Sequence, residues 1–347
     1  MSRVSTQQNQ QSHKPTSLWR RILSYRPDFL IWAILSAVIL GIVFPVSGQA
    51  ANVADWIVKL AIAFLFFLYG ARLSPQEALK GLLHWRLHLV ILCFTFVLFP
   101  LVGLALMPLT SVIGEDLYMG ILYLTLVPST VQSSVAFTSI ARGNVAASIV
   151  AASASSLAGV VLTPLLVLLL MTSSGGVHID GSTFIDIGVQ LLLPFLLGQI
   201  LRRWVSGFAA SPITKKVDQI SIALVVYVSF SEGMVSGAWS SIQWFAIVGL
   251  VIGSIVLVTL MLSVTSIVTR KMGFNYQDQV AIQFAGTKKS LAAGLPMAAV
   301  MFGSAGGLGV LILPLMIFHQ VQLIICSFRA SRYAERYSAD ATHARTW

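Results

Sequence analysis

Long apolar runs separated by short polar or basic segments set the pattern of this chain. Runs of about 20 residues are long enough to cross a bilayer as helices. They fall at 29–46, 53–71, 87–108, 117–141, 145–171, 183–201, 217–236, 243–269, 278–302 and 306–328. The pattern predicts an all-α integral membrane protein with ten transmembrane helices. Residues 1–28 form a polar, Gln- and Ser-rich tail ending in Arg20, Arg21 and Arg26, and residues 330–347 form a basic tail. The transmembrane domain between them, 29–329, divides into a first repeat at 29–171 and a second at 183–329. Leu162-Thr-Pro-Leu165 in the first half resembles Leu313-Pro-Leu315 in the second. Five helices per half is an odd number, so the halves enter the membrane from opposite sides. That is a 5+5 inverted repeat, the architecture of many secondary transporters.

One run breaks the apolar pattern at its middle. Gln283-Phe-Ala-Gly-Thr-Lys-Lys-Ser-Leu-Ala-Ala-Gly-Leu-Pro296 holds adjacent lysines in the ninth span. A lysine at a bilayer centre costs roughly 2.5–3.5 kcal/mol on insertion scales, so Lys288 and Lys289 are not expected to face lipid. Gly286 and Gly294 flank them, and the helix is expected to break there. The lysines then face water, a substrate or a carboxylate; the structural alternative is that they bond exposed carbonyls and never touch substrate. In inverted repeats a broken helix from each half meets its counterpart at the midplane, which puts the partner about 150–160 residues earlier. The fourth span there reads Leu126-Val-Pro128-Ser-Thr-Val-Gln132-Ser133-Ser134. Proline inside a helix removes a hydrogen bond and clashes with the preceding turn, and irregular backbone at this depth survives only where protein or a watery cavity covers it. The fourth and ninth helices are therefore expected to be broken and to cross. Candidate substrate or ion ligands are Gln132, Ser133, Ser134, Thr287, Lys288, Lys289 and Ser290, with Pro128, Gly286 and Gly294 as helix breakers. His319, Gln320 and Gln322 give the tenth span a polar face near its middle; His319 is either part of the site or a buried histidine bonded to a neighbouring helix.

Composition agrees with the membrane assignment. The chain is 56% hydrophobic and 10% charged, against about 25% charged in soluble domains, and its mean hydropathy is +0.85. The net charge of +10 points to orientation in a membrane and not to nucleic acid, because the basic residues cluster in short segments between spans. With both termini cytoplasmic, inner segments account for all 22 basic residues except Lys59, Lys288 and Lys289. The outer segments carry Asp55, Glu115, Asp116, Asp180, Asp186 and Glu232. Lys59 lies about one turn inside its span, where snorkelling to the outer interface explains it. This orientation implies a multi-pass protein of the cell membrane, with the lipid bilayer and a small molecule as its partners.

Enzyme signatures are missing. There is no Gly-x-Ser-x-Gly elbow and no P-loop, which also excludes ATP-driven transport by this chain. His84 and His88 stand four apart but lack the glutamate of the zinc-protease motif. Cys93 and Cys326 both fall inside apolar spans and read as small buried hydrophobes, with no disulfide framework or metal spacing. No cofactor is expected apart from the question of sodium.

Gly70-Ala-Arg-Leu, Pro128…Ser133-Ser134, Arg142-Gly-Asn, Leu162-Thr-Pro-Leu and Gly286-Thr-Lys-Lys-Ser-Leu-Ala-Ala-Gly-Leu-Pro together resemble the bile acid:sodium symporter family, specifically its SBF-like branch. The resemblance spans about residues 29–330. It implies ten helices, a panel and a core domain, two broken helices crossing at the centre, and sodium-coupled uptake of bile acids or other organic anions. The family's first crossing reads Pro-Gly-Gly-x-x-Ser-Asn, with Ser and Asn on sodium; here Ser133 and Ser134 take those places. Its second crossing reads Glu-x-Gly-x-Gln-Asn-Ser, with Glu and Gln as ligands; here Phe284, Lys288 and Lys289 stand at the Glu, Gln and Asn positions. An ammonium has donors and no acceptor, so it cannot ligate sodium. The expectation is a secondary transporter moving a small organic anion by alternating access. One lysine would supply the charge that sodium supplies in relatives, and a residual sodium site could remain only at Ser133 and Ser134. The alternatives are a proton-coupled or uncoupled efflux or facilitative carrier, and a non-transporting regulator of the same fold.

Overall fold

The computed structural model describes residues 29–72, 84–171, 188–237, 239, 243–303 and 307–343, with side chains as far as Glu335. The polar tail expected at 1–28 lies outside the described residues, as do Lys80, Asp180 and Asp186. The described residues are helical, without strands, as backbone surrounded by hydrocarbon must be if each N–H and C=O is to be satisfied within its own segment. In chain order the helices are α1 (Phe29–Val43), α2 (Gln49–Arg72), α3 (Trp85–Ala105), α4 (Glu115–Leu126), α5 (Val131–Ile140) and α6 (Val145–Met171). They continue as α7 (Gly188–Ala209, opening with a π turn at Gly188–Leu192), α8 (Pro212–Val235), α9 (Trp244–Lys271), α10 (Tyr276–Gly286), α11 (Leu291–Phe302) and α12 (Leu308–His343). Five of these, α2, α3, α6, α9 and α12, are long and apolar enough to cross a membrane, and α4 with α5 makes a sixth, bent by 62° at its break.

The apolar pattern locates the helices closely but not their ends. Cys326 is buried as expected, but Cys93 of α3 is exposed, since an apolar run does not tell which of its faces meets protein and which meets lipid. The run 117–141 is split at 127–130 and the run 278–302 at 287–290, the two places where proline or paired lysines interrupt it. The segment expected as a basic tail after residue 329 continues α12 as helix to His343. Large apolar side chains point outward all round the bundle, among them Leu60, Trp204 and Trp244, each about two-thirds exposed or more. Such a surface suits a lipid solvent and would aggregate in water.

Two groups of helices pack side by side. In the first, α2 lies along α7 and α1 along α8, with α2 also touching α8. Glycines allow the closest approach. A Cβ on Gly70 would stand 2.0 Å from the Phe195 carbonyl oxygen, and one on Gly198 would stand 2.1 Å from that of Phe67. The α2–α7 contact is thus backbone against backbone from both sides, as small residues permit in membrane helices. The second group, α3–α6 with α9–α12, surrounds the two breaks and carries most of the buried aromatic and aliphatic core, including Tyr118, Tyr123, Phe99, Phe284 and Phe318.

Gly70→Ala is expected to destabilise the protein by more than about 2 kcal/mol, because overpacking costs about 1–3 kcal/mol and the obstacle here is backbone that cannot rotate away. Gly249→Ala, whose Cβ would meet nothing within 4 Å inside α9, should leave stability unchanged or raise it by up to about 1 kcal/mol. Thermal unfolding of the two variants in detergent checks the contrast.

Candidate functional site

The two breaks lie side by side, joined by a hydrogen bond from the Ser290 N–H to the Pro128 carbonyl at 2.8 Å. Each break strands carbonyls that a continuous helix would have satisfied. The partner of nearly every one can be named. After α4, the Thr125 and Val127 carbonyls accept from Lys289 Nζ, at 2.7 and 2.9 Å. The Leu126 carbonyl accepts from Thr163 Oγ1 at 2.9 Å, and that of Ser129 from Ser156 Oγ at 3.3 Å. After α10, the Gln283 carbonyl accepts from Thr287 Oγ1 at 2.6 Å, Phe284 from Ser134 Oγ at 3.0 Å, and Ala285 from Ser129 Oγ at 2.5 Å. Each half therefore closes the break of the other.

Lys289 has a third acceptor, the Thr95 carbonyl at 2.9 Å, and local sequence explains why that oxygen is free. Phe94–Leu98 is a π turn, in which the Phe99 N–H bonds back to the Phe94 carbonyl. The next residue is Pro100, which has no N–H, so Thr95 is left without a backbone donor. The ring of Phe99 lies 4.3 Å from Nζ. The backbone of Lys289 is held as firmly as its side chain: its N–H donates to Gln322 Oε1 at 2.9 Å, and its carbonyl accepts from Gln322 Nε2 at 2.8 Å. His319 Nδ1 sits 2.9 Å from the same Gln322 amide and 3.4 Å from the Lys289 carbonyl.

Lys288 points elsewhere. Its Nζ rests 3.8 Å from the centre of the Phe137 ring and has no hydrogen-bond partner. Both lysines are 0% exposed, and no carboxylate among the described residues pairs with either.

A cavity of about 360 Å³ lies between the crossing and the first helix group. Thr130, Val131 and Gln132 from the start of α5, and Ser290, Ala292 and Ala293 from the start of α11, form one wall. Ser153 and Ser156 of α6 extend it. Facing them are Phe66, Tyr69 and Arg72 of α2 and Lys215, Asp218, Gln219 and Ile222 of α8. Arg72 forms an ion pair with Asp218, and its Nε donates to the Ala209 carbonyl at 2.6 Å. Ser290 caps α11 through the Ala293 N–H at 3.2 Å, while Thr130 makes no side-chain cap on α5. Residues at the starts of both helices therefore line the same cavity.

A second cavity of about 190 Å³ opens along the same interface, lined by Asp55, Val58, Lys59, Ile62, Gln190, Val225, Glu232, Ala299 and Val300 among others. Moving from one cavity to the other, α2 passes from Phe66 to Ile62, α8 from Ile222 to Val225, and α11 from Met297 to Ala299. Phe66, Ile62, Ile222, Val225 and Met297 are each at most 1% exposed. At about 1.5 Å of rise per residue, these steps of two to four residues put the two linings roughly 3–6 Å apart along the helices.

Of the residues picked from sequence, Gln132 and Ser290 line the larger cavity. Ser134, Thr287 and Lys289 are committed to backbone carbonyls, and Ser133 Oγ is enclosed without a partner. His319 belongs to the Gln322 cluster behind the crossing. Pro128 stands at the first break, with its ring against Gly159. Gly294, expected as a helix breaker, instead lies within α11, where the missing Cβ lets Leu315 and Val127 approach. Gly286 closes α10. Neither lysine side chain is among the residues lining the larger cavity. Sequence reasoning missed Tyr69, Arg72, Lys215 and Asp218 as cavity residues, since they read as loop charges or packing. Gln322 was legible as part of the polar face of the tenth span, but not as the partner of Lys289; Pro100 after Phe99 was the available signal for the stranded Thr95 carbonyl.

Residues 28–335 match the family model described as the SBF-like CPA transporter family. The chain is 47% identical over 315 residues to an uncharacterized protein of Pseudomonas aeruginosa, covering 90% of this chain and 94% of that one. It is 44% identical over 306 residues to Putative symporter YfeH of Escherichia coli K12, covering 86% and 91%. It is 30% identical over 312 residues to Sodium/bile acid cotransporter 7-B of Xenopus laevis, covering 87% and 90%.

Gln322→Leu removes both partners of the Lys289 backbone at a buried position. It is expected to lower stability by about 2–6 kcal/mol, at 1–3 kcal/mol for each of the two groups left unsatisfied. Gln322→Glu, which keeps the acceptor and loses the donor, should fall between that variant and the unmodified protein in thermal unfolding.

Proposed function

Because this chain belongs to the SBF-like CPA transporter family, we propose that it carries a small organic anion across the cell membrane by alternating access, through the interface that holds the two cavities. It is a multi-pass membrane transporter and not an enzyme, as its family and its symporter-named relatives are. The observation that carries this reading is the pair of chambers whose linings lie only two to four residues apart along α2, α8 and α11, roughly 3–6 Å. Rocking the crossing group against α1, α2, α7 and α8 by about that distance would close one chamber and open the other.

Anion selectivity follows from the larger chamber's chemistry. Asp218 is answered by Arg72, which leaves Lys215 and the first-turn amides of α5 and α11 as unbalanced positive character. Helix N-termini favour negative ligands, and Gln132 and Ser290 can donate hydrogen bonds beside them. Relatives named sodium/bile acid cotransporters agree with an amphipathic anion, since Phe66, Leu157, Val160 and Phe195 supply apolar wall.

The proposed architecture is the 5+5 inverted repeat, with repeats at 29–171 and 183–329 and both termini cytoplasmic. The packing supports it. The contact of α1 with α8 has its counterpart in that of α7 with α2, and the breaks at 127–130 and 287–290 fall at matching places. The positive-inside rule then puts Arg72 and Lys215, and with them the larger cavity, on the cytoplasmic side. Asp55, Lys59 and Glu232 lie at the outer end.

Sodium is not part of this proposal. Phe284 offers no ligand, Lys288 and Lys289 bring two cationic groups to the crossing, and Ser134 is already bonded to the Phe284 carbonyl. Ser133 Oγ alone does not make a sodium site. A fixed positive charge there does not need a bound ion to hold the break. The unpartnered amine of Lys288 favours a second reading of the coupling, in which that group exchanges a proton during the cycle.

In proteoliposomes loaded with a taurine-conjugated bile acid as the probe anion, counterflow uptake should be unchanged when sodium is replaced by choline. It should be lost in Lys288→Gln and in Lys289→Gln. Uptake that requires sodium would sink the sodium-free reading, and an absence of counterflow for a panel of organic anions would sink the carrier reading.

A further inference from the structure

The ammonium of Lys289 is surrounded as a free cation in a binding site would be. Three backbone carbonyls, those of Thr95, Thr125 and Val127, converge on Nζ at 2.9, 2.7 and 2.9 Å. The face of Phe99 closes a further side at 4.3 Å. A neutral amine has two N–H groups, and carbonyls only accept. Three such acceptors therefore require the protonated form, with each proton spent on one oxygen and the ring facing the remaining charge. The carbonyls come from two places with separate reasons to be unsatisfied. Thr95 is stranded by the π turn and Pro100, and Thr125 and Val127 by the end of α4 before Pro128. None of them depends on Lys289 for its position in the chain. They form a cage of oxygen dipoles at the negative end of α4, into which the side chain reaches from the opposite half of the protein.

We propose that this cage is a monovalent-cation site occupied by a tethered cation. Lys289 is its resident ligand, so the crossing is closed without any ion being loaded. The class of ligand that the empty cage would take is a primary alkylammonium, which matches the donor count, the charge and the linear apolar stem. The proposal goes beyond the transport reading and does not rest on which anion is carried, because it concerns what holds the two breaks together.

Truncating Lys289 to alanine removes three methylenes and the ammonium. Propylammonium restores a three-carbon chain and that charged nitrogen, and 1-propanol is the neutral molecule of the same shape. The full-length protein and Lys289→Ala would be purified in detergent with choline chloride as the only salt, and their thermal unfolding followed with each additive. Lys289→Ala is expected to lose about 10 °C or more in Tm. Propylammonium at about 50 mM should recover at least half of that loss by binding the folded state, while 1-propanol recovers little and the full-length protein responds to neither. Equal recovery by 1-propanol would overturn the proposal, since the site would then need volume and not charge. So would a failure of propylammonium to stabilise the variant. Should Lys289→Ala yield too little folded protein, Lys289→Met keeps a stem of similar length and removes the three donors. A Tm within about 2 °C of the full-length protein for Lys289→Met would show the cation to be dispensable and refute the assignment; a large loss would support it. These measurements read folding and not uptake, so they succeed or fail independently of the counterflow experiment.

Discussion

Backbone carbonyls stranded inside an apolar bundle are the constraint on which this structure depends. A helix broken in mid-membrane leaves oxygens that water cannot reach, and each one left alone is expensive. Here two such breaks are placed against each other, and side chains from each serve the carbonyls of its partner. Ser129 and Ser134 serve α10, Lys289 serves α4, and the Ser290 amide serves Pro128. Neither break would be stable without the other, so the crossing behaves as one element. The glycines at 159 and 294 and the π turn of α3 are accommodations that let neighbouring helices close over it.

This closure explains why two lysines can sit at such depth. Their charges could have been answered by a carboxylate, but no acidic side chain pairs with them among the described residues. The answer is instead a set of oriented backbone dipoles and two aromatic faces. Lys289 takes the dipoles and Lys288 takes a ring alone. Adjacent residues of the same type therefore sit in chemically different places, one saturated with hydrogen bonds and the other with none.

The crossing also sets the geometry of the cavities. With the breaks pinned, the N-terminal turns of α5 and α11 are presented together on one wall, and the wall opposite is built by helices held close through Gly70 and Gly198. The interface between the two groups is apolar at its centre and polar at both ends, which suits a surface on which one body slides or rocks against another. The family to which the chain belongs consists of transporters, and both cavities described above lie along this interface.

Much of this was legible in the residues alone. Run lengths located the helices, Pro128 and the lysine pair located the breaks, and their spacing along the chain announced that they would meet. Those signals are local: they depend on hydrophobicity, on a missing N–H and on the energy of a charge in hydrocarbon. Which atoms answer which could not be read that way. That Lys289 binds carbonyls while Lys288 faces Phe137, that Gln322 holds the Lys289 backbone, and that Arg72 and Lys215 line a cavity rather than a loop all depend on residues more than thirty, and often more than a hundred, positions apart. Side-chain direction at a break is set by packing between helices, and only the tertiary structure decides it.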